Sequence, residues 1–131
     1  MSGDVDRRPA GAPADPRARL GRRGEDLACE LLTQAGLRIA ARNWRCRDGE
    51  IDVVATGPGL LVVCEVKTRR GDGFGSAAAA VTWSKQRRLR RLAAAYLAGA
   101  GLPPVTVRFD VVAVTWPRGR APVAEHIPGA F

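Results

Sequence analysis

The sequence has few of the residues that build disulfide frameworks or histidine-rich metal centres. Its three cysteines (Cys29, Cys46 and Cys64) are odd in number and lack C-x-x-C spacing, so neither a disulfide framework nor a zinc site is indicated. The single histidine excludes a metal site built from several histidines. The chain also lacks an apolar run of about 18 residues and the apolar core of a signal peptide. We therefore expect a cytoplasmic protein with reduced thiols and no membrane association.

Acidic residues are scarcer than basic ones. Lys and Arg number 21 against 13 Asp and Glu, which gives a net charge of +8 and a pI near 10.9. This balance favours a polyanionic partner such as nucleic acid. A chain of 131 residues, 46% of them hydrophobic, is long enough for one domain with a single core.

The order of apolar patterns predicts a tail followed by alternating helices and strands. Residues 1–19 combine prolines, glycines and charges of both signs without an apolar period, so we expect a disordered tail before a domain over 20–131. The domain has the predicted order α-β-β-β-α-β-β, which suits a mixed sheet flanked by helices. The helices are predicted over about 20–35 and 77–100, each with a buried stripe that ends in an alanine (Ala35 and Ala100), and Glu25 borders the stripe of the first helix. The strands are predicted over about 37–46, 49–55, 60–67, 105–115 and 123–127.

Three acidic residues, Glu50, Asp52 and Glu65, lie in a predicted hairpin whose strands are separated by a Gly-Pro-Gly turn signal. Side chains alternate between the two faces of a strand, so Glu50, Asp52 and Val54 should share one face of the first strand, and the register decides which acids meet. A four-residue loop would pair Thr56 with Leu61 and place Asp52 directly opposite Glu65. A two-residue loop would place Glu50 opposite Glu65 instead. Either register gathers carboxylates on one face of the hairpin.

The second strand of this hairpin is apolar until Glu65, a pattern typical of a strand covered on both faces. Ionised carboxylates beside such a strand lose hydration and repel one another, at a cost of several kcal/mol per ion. A divalent cation compensates this cost, and Mg²⁺ is normally held by one or two carboxylates together with waters and substrate phosphate. Lys67 returns to the face of Glu65 and can hold a water or a phosphate oxygen. The alternative is an ordinary cross-strand array of ion pairs.

Several motifs that occur in order along the chain resemble those of a known family. The residues Asp52 and Glu65-Val66-Lys67 resemble the core signature of the PD-(D/E)XK nuclease superfamily. Over about positions 20–131 the chain resembles the bacterial YraN (UPF0102) family, through Gly24-Glu25, Asn43, Gly49-Glu50-Ile51-Asp52, Glu65-Val66-Lys67-Thr68-Arg69, Lys85, Arg108-Phe109-Asp110 and His126-Ile127…Ala130-Phe131. The resemblance implies a restriction-endonuclease-like α/β single domain with a central mixed sheet flanked by helices.

The same resemblance implies metal-dependent hydrolysis of phosphodiester bonds in DNA, with branched or junction DNA as a candidate substrate because of the similarity to archaeal Holliday junction resolvases. The implied ligands of Mg²⁺ or Mn²⁺ are Asp52, Glu65 and the carbonyl of Val66, with Glu25 and Glu50 for a second ion or its water. Lys67 would orient the attacking water and stabilise the transition-state charge. Paired nicks need two sites, so a homodimer is implied as well.

Basic residues surround the predicted site. A glycine-rich basic loop over 68–76 would order over substrate, and the early turns of the second helix present polar side chains to the sheet. The predicted nucleic-acid contacts are Arg69, Arg70, Lys85, Gln86, Arg87 and Arg88. The alternative for the arginines is a solvated charged face. The alternative for Glu25 is an acid that complements the dipole of the first helix.

Two other functions are compatible with the sequence. One is a non-catalytic nucleic-acid-binding module on the same fold, and the other is a binder of acidic proteins through its basic face. Outside the hairpin, Asp110 and His126 are expected to be structural, with Asp110 paired to Arg108 or another basic group. Trp44 is expected to pack within the protein rather than stack on an unpaired base.

Overall fold

The computed structural model describes residues 15–71, 81–103 and 105–131. Two helices and five strands follow one another in the predicted order α-β-β-β-α-β-β, which is confirmed. The elements are α1 (Pro16–Gln34), β1 (Arg38–Cys46), β2 (Gly49–Gly57), β3 (Leu60–Arg70), α2 (Trp83–Ala100), β4 (Thr106–Trp116) and β5 (Val123–Ile127). No helix within these described ranges is long and apolar enough to cross a membrane.

The five strands form one mixed sheet whose spatial order, β1-β2-β3-β4-β5, is the same as their order in the chain. The pairs β1–β2, β2–β3 and β4–β5 are antiparallel, whereas β3 and β4 are parallel. A parallel pair needs a long crossover, and α2 supplies it. The α/β class and the mixed sheet flanked by helices are therefore as predicted.

Each face of the sheet carries its own apolar cluster. The cluster on the α2 side includes Leu89 and Leu92 together with Leu61 and Val63 of β3. The cluster on the α1 side includes Ala28 and Leu32 of α1 with other residues of β3, among them Val62 and Cys64. Because β3 supplies both clusters with alternate residues, its continuous apolar run is explained by cover on both faces.

Helix α1 begins at Pro16, earlier than the predicted start near Leu20. Asp15 caps the helix by accepting a hydrogen bond from the Arg17 N–H (3.0 Å), and proline is favoured in the first turn because its missing N–H has no partner there. The Asp-Pro dipeptide was the sequence signal for this start. Residues 1–14 of the predicted tail lie outside the described residues. At the other end Ala35, predicted to be buried, is the exposed C-cap.

Helix α2 begins at Trp83 rather than near Ala77, which lies outside the described residues. Thr82 is its N-cap and accepts a hydrogen bond from the Lys85 N–H at 3.1 Å. The helix ends at Gly101, whose φ of 65° is a conformation that glycine adopts without steric cost. Ala100, predicted in the buried stripe, is exposed.

Strand β3 is longer than predicted. Thr68, Arg69 and Arg70 were assigned to a flexible loop, but the parallel ladder with β4 continues as far as the pair Arg70↔Trp116. The loop prediction was wrong for these three residues because β4 is long enough to pair with them. Of the predicted loop, 72–76 lies outside the described residues.

Candidate active site

The hairpin of β2 and β3 has the register in which Thr56 pairs with Leu61. Gly57 and Leu60 also pair, so the connecting loop is shorter than the four residues expected for this register. The ladder ends at the pair Val53↔Cys64, directly before Asp52 and Glu65. The two acids therefore face each other across the point where the strands separate.

A side chain continues the contact between the strands where the backbone ladder stops. The Val66 N–H donates a hydrogen bond to Oδ2 of Asp52 at 2.8 Å. The predicted contribution of Val66 was its carbonyl as a metal ligand, whereas the contact in this structure comes from its amide. The side chains of β2 do not alternate strictly between the two faces of the sheet here. Ile51 and Val54 are three residues apart, yet both belong to the cluster on the α2 side. The prediction that Glu50, Asp52 and Val54 share one face of a regular strand is therefore corrected.

Asn43 lies opposite this irregularity, on β1. The pairs Arg42↔Val53 and Trp44↔Ile51 flank it, so Asn43 faces Asp52 across the β1–β2 ladder. Its φ of 52° is in the left-handed region, which asparagine tolerates better than most residues. No role is predicted for Asn43 beyond its place among the family motifs, although an asparagine in the middle of a predicted strand is a signal for such a kink.

The amide of Asn43 connects the kink to α1. Its Nδ2 donates a hydrogen bond to Oε1 of Glu25 at 3.0 Å. Arg42 Nη2 lies 3.7 Å from the same oxygen and 2.8 Å from Oδ1 of Asp26. Glu25 is thus oriented by two β1 side chains at the edge of the acid site, as its place beside the buried stripe of α1 suggested.

Glu65 is the most buried acid of the hairpin, with 5% of its surface exposed. Two ammonium groups approach its Oε2, Lys85 Nζ at 3.3 Å and Lys67 Nζ at 3.9 Å. Lys85 belongs to the first turn of α2 and faces the sheet as predicted. Gln86 is directed elsewhere, because its Nε2 donates to the Val81 carbonyl at 3.1 Å. The buried charge of Glu65 is therefore compensated from two elements.

The negative charge of Asp52 has fewer hydrogen-bond donors and cations beside it than that of Glu65. Burial raises the pKa of Asp52 from its ordinary value of 3.8 to about 7, and the negative charge of Glu65 adds to the effect. The Val66 N–H acts in the opposite direction, while the charges of Glu25 and Glu50 raise the pKa further. Glu50 itself lies 3.6 Å from Arg45 Nη2. The charges of the other three predicted acids thus all act on Asp52.

The donor set fits a hard divalent cation in its chemistry. Asp52 and Glu65 follow the last pair of the β2–β3 ladder, and the repulsion between their charges is a condition that a cation relieves. Over the described ranges, no three acidic, thiol or imidazole side chains are grouped as a ready-made metal site. Mg²⁺ is commonly held by one or two carboxylates, with waters or substrate oxygens completing the coordination.

Close packing of α1 against β3 holds Glu25 at the site. A Cβ added to Gly24 would collide with Oγ1 of Thr68. Only glycine allows the helix to approach the strand this closely, because it has no side chain. The residue next to Gly24 is Glu25, so this contact fixes the distance between Glu25 and the hairpin.

The predicted nucleic-acid contacts lie on different sides of the site. Arg87 and Arg88 are exposed on α2, and the Arg88 side chain passes over Gly49 at the start of β2. Arg70 is exposed at the end of β3, whereas Arg69 is half-buried. Lys85 and Gln86 make the contacts described above. The structure thus brings Lys85 and Arg88 close to the acids and leaves Arg70 at a distance along β3.

Asp110 and His126 form a separate cluster away from the hairpin acids. Asp110 is fully buried and accepts hydrogen bonds from Arg108 Nε (2.8 Å), Arg108 Nη2 (2.9 Å) and the Gly129 N–H (3.0 Å), and His126 Nε2 lies 2.7 Å from its Oδ2. The predicted pairing of Asp110 with Arg108 is confirmed. Trp44 packs edge-on against Tyr96 with ring centroids 5.3 Å apart, as expected for a packing role.

Fold and site together define an α/β protein with a five-stranded mixed sheet and a pair of facing acids in its central hairpin. Residues 24–114 match the sequence profile of the uncharacterised protein family UPF0102, and the chain belongs to that family. A UPF0102 protein of Rhodococcus jostii is 54% identical over 112 residues, 86% of this chain and 95% of the relative. One from Streptomyces griseus is 55% identical over 114 residues, 86% and 96% of the two chains. One from Streptomyces coelicolor is 53% identical over 124 residues, 92% and 95% of the two chains.

Proposed function

We propose that this protein is a metal-dependent endonuclease that hydrolyses phosphodiester bonds of DNA. The observation that carries the proposal is the facing pair of Asp52 and Glu65, with the pKa of Asp52 raised to about 7 by burial and by the charge of Glu65. Buried acids that repel one another cost free energy, and a strongly shifted pKa is typical of functional sites. A divalent cation bound at this pair would offset the charge of both carboxylates.

Each side chain has a defined part in this proposal. Asp52 and Glu65 would hold Mg²⁺ or Mn²⁺, which when bound lowers the pKa of water and offsets charge on the phosphate. Lys67, whose Nζ lies 3.9 Å from Glu65 Oε2, would orient the attacking water. Lys85, at 3.3 Å from the same oxygen, would donate to a non-bridging phosphate oxygen. Glu25 and Glu50, at the margin of the pair, would hold a second ion or its water.

The charge of the protein supports a nucleic-acid substrate. A net charge of +8 attracts a polyanion at long range, and Arg87 and Arg88 extend the basic surface from Lys85 along α2. Branched or junction DNA is the proposed substrate class, and a homodimer is the proposed assembly because paired nicks need two sites. Sedimentation of the protein with and without junction DNA measures that assembly.

A non-catalytic nucleic-acid-binding module is the second candidate. The observation in its favour is that Lys67 and Lys85 already approach Glu65, and that Glu25 is engaged by Asn43 and Arg42. Because Arg45 also lies beside Glu50, side chains of the protein itself partly compensate three of the four acids. In this alternative the acids would serve the fold, and nucleic acid would bind without being cut.

Cleavage of end-labelled single-stranded, duplex, flap and four-way-junction DNA with Mg²⁺ or Mn²⁺ separates the two functions. We expect metal-dependent cuts by the wild type and a loss of at least roughly a thousandfold in the Glu65→Ala variant, because transition-state stabilisation is lost. Glu30→Ala removes an exposed acid of α1 and is the matched control, with activity expected to be unchanged. Calorimetric titration of the metal, with and without DNA, measures binding independently.

Two results would contradict the nuclease proposal. The first is binding of all four DNA substrates without a cut under either metal, which favours the non-catalytic module. The second is cleavage that survives both Asp52→Ala and Glu65→Ala, which would place the chemistry elsewhere. Absence of DNA affinity at physiological salt would instead favour an acidic protein as the partner.

A further inference from the structure

A second cluster of charge lies at the far end of β3 and involves α1. A cavity of about 330 Å³ is lined by Arg19, Arg23 and Arg70, together with Pro16 and Leu20. We call the three arginines the arginine cradle. The volume is within the range of small-ligand sites, about 300–1,000 Å³. The cavity is distinct from the acid pair, because its strand residue is Arg70 rather than Glu65.

The cradle is assembled from two elements that pack through Trp116. Arg19 and Arg23 are one turn apart on α1 and therefore lie on the same side of the helix. The Arg23 guanidinium lies over the Trp116 ring, 4.5 Å from its centroid. Arg70 is the strand partner of Trp116, and the Gly71 N–H donates to the Trp116 carbonyl at 2.9 Å. The positions of all three cations thus depend on the α1–β3–β4 packing.

Like charges gathered around one cavity repel one another. Among the ion pairs of residues 15–71, 81–103 and 105–131, none places a carboxylate on Arg19, Arg23 or Arg70. Stacking on Trp116 occupies the face of the Arg23 guanidinium and leaves its N–H edge for an acceptor. Planar guanidinium groups bind phosphate oxygens with paired, charge-assisted hydrogen bonds. A phosphate group is therefore a ligand whose chemistry suits this cavity.

The position of the cradle identifies the source of the phosphate. Arg70 follows Glu65 by five residues on a continuous strand, a distance of roughly 16 Å at about 3.3 Å per residue. Because side chains alternate, Arg70 points to the α1 face of the sheet, whereas Glu65 points to the α2 face, towards Lys85. Arg23 is likewise two residues from Glu25 on α1. Successive phosphates of a nucleic-acid strand advance by about 3.4 Å along the helix axis, so a strand that passes from the acid pair along the side of Glu25 and α1 spans the distance to the cradle within about five nucleotides.

We propose that the arginine cradle binds a backbone phosphate of a nucleic acid, a few nucleotides from the phosphodiester at Asp52 and Glu65. This inference rests on the nucleic-acid substrate of the proposed function, but not on catalysis. The cradle adds a second contact point and thereby sets the direction of the strand across the site. The sequence predicts Arg70 only as a general nucleic-acid contact, and this proposal assigns it a particular backbone phosphate.

Fluorescence anisotropy of a labelled oligonucleotide, measured in EDTA so that the DNA stays intact, tests the cradle. The variants are Arg23→Gln and Arg70→Gln, and the matched control is Arg38→Gln. Arg38 is exposed and pairs with Thr56 at the opposite end of the sheet, so the control loses the same charge at a distant place. Thermal unfolding of each variant confirms that the fold is kept.

We expect each cradle variant to bind roughly fivefold to tenfold more weakly at 0.1 M salt, because one phosphate contact is lost. The slope of log K against log salt should fall by about 1 in each, whereas Arg38→Gln should leave it unchanged. Arg23→Lys keeps the charge and loses the planar stack on Trp116, and should have an intermediate affinity. A titration with inorganic phosphate, followed by the arginine Nε–Hε NMR signals, forms a second arm.

Each outcome decides the proposal. Equal affinities and salt slopes for the cradle variants and Arg38→Gln overturn it, even if the wild type cuts DNA. Phosphate-induced shifts at Arg23 and Arg70 without an effect of these variants on oligonucleotide affinity overturn the nucleic-acid source and favour a free phosphate ligand. Weaker binding specific to the cradle variants supports the proposal even if no cleavage is found, in which case only the nuclease proposal fails.

Discussion

Two carboxylates deep in the same sheet, Asp110 and Asp52, have opposite electrostatic settings. Burial disfavours the charge of Asp110, but hydrogen bonds from Arg108, His126 and the Gly129 N–H outweigh it and lower the pKa of Asp110 below its ordinary value. Asp52 receives one backbone N–H, from Val66, and has acids as its other charged neighbours, so its pKa rises to about 7. Two identical side chains thus differ in pKa because different hydrogen-bond donors and charges surround them.

This difference in pKa distinguishes Asp110, whose charge stabilises the fold, from Asp52, whose charge costs free energy in the folded protein. Asp110 joins β4, β5 and the segment after β5, since its partners are Arg108, His126 and Gly129. A charge with this many donors is a structural element. Asp52 lacks such a set, and an acid under repulsion in a folded protein is a candidate for binding a cation or doing chemistry.

The largest expected effect is the difference in the free energy of unfolding between two variants, Asp110→Asn and Asp52→Asn. Asp110→Asn leaves Arg108 without its charged partner and should lower the unfolding free energy by about 3 kcal/mol, as is usual when one side of a buried pair is removed. Asp52→Asn removes a repelled charge and keeps an oxygen for the Val66 N–H, so it should be neutral or stabilising at pH 8. Urea unfolding of both variants measures this contrast, and equal losses would contradict it.

The next effect concerns the packing that holds Glu25 near Asp52. Gly24→Ala would push against Thr68 and should destabilise the protein by about 1–3 kcal/mol, the range for overpacked cores. Gly21→Ala is the matched control on the same helix, because nothing lies within 4 Å of the added methyl group. The control should be stabilising by about 0.5–1 kcal/mol through helix propensity. Thermal denaturation compares them, and similar melting temperatures would show that α1 can shift without cost.

A smaller effect separates the backbone of Asn43 from its side chain. Asn43→Ala places a methyl-bearing residue at a φ of 52° and should be about 1 kcal/mol less stable than Asn43→Gly. Both variants lose the hydrogen bond to Glu25, so metal affinity measured by calorimetry should change equally in the two. If Asn43→Gly kept wild-type metal affinity, the orientation of Glu25 by Asn43 would have no functional part.

The subtlest effect is the dependence of stability on pH. The raised pKa of Asp52 means that its contribution is most favourable below about pH 4 and is lost as the pH rises through about 7. The lowered pKa of Asp110 has the opposite sign, with stability present above about pH 4 and lost in more acidic solution. In a plot of the urea midpoint against pH, Asp52→Asn should therefore reduce the change in midpoint between about pH 4 and 7. Asp110→Asn should reduce the change in midpoint below about pH 4. A pH dependence of the urea midpoint that is the same in the variants and the wild type would contradict these two pKa directions.

Much of the fold followed from local patterns in the sequence. Alternating and continuous apolar runs predicted the element order, and the Gly-Pro-Gly signal was compatible with the register that pairs Thr56 with Leu61. Helical periodicity also predicted that Lys85 faces the sheet. These features depend on residues close together in the chain, where spacing and turn chemistry determine the geometry.

The features that were missed depend on distant partners. The continuation of β3 to Arg70 requires the length of β4, and the kink at Asn43 requires both β2 and Glu25. The cluster around Asp110 likewise draws on Gly129, which no local pattern connects to β4. The cradle depends on the stacking of Arg23 on Trp116. Such tertiary contacts override local propensity and are invisible to periodicity.

The left-handed residue in β1 also has a consequence for association between chains. β1 is an edge strand, and a regular edge offers an uninterrupted row of free N–H and C=O groups to a strand of another molecule. The kink at Asn43 and the register shift between Ile39 and Ala41 interrupt that row, and the exposed cations of Arg38, Arg42 and Arg45 line the strand. The irregularity opposite Asp52 thus also protects a long edge against the strand addition that leads to aggregation.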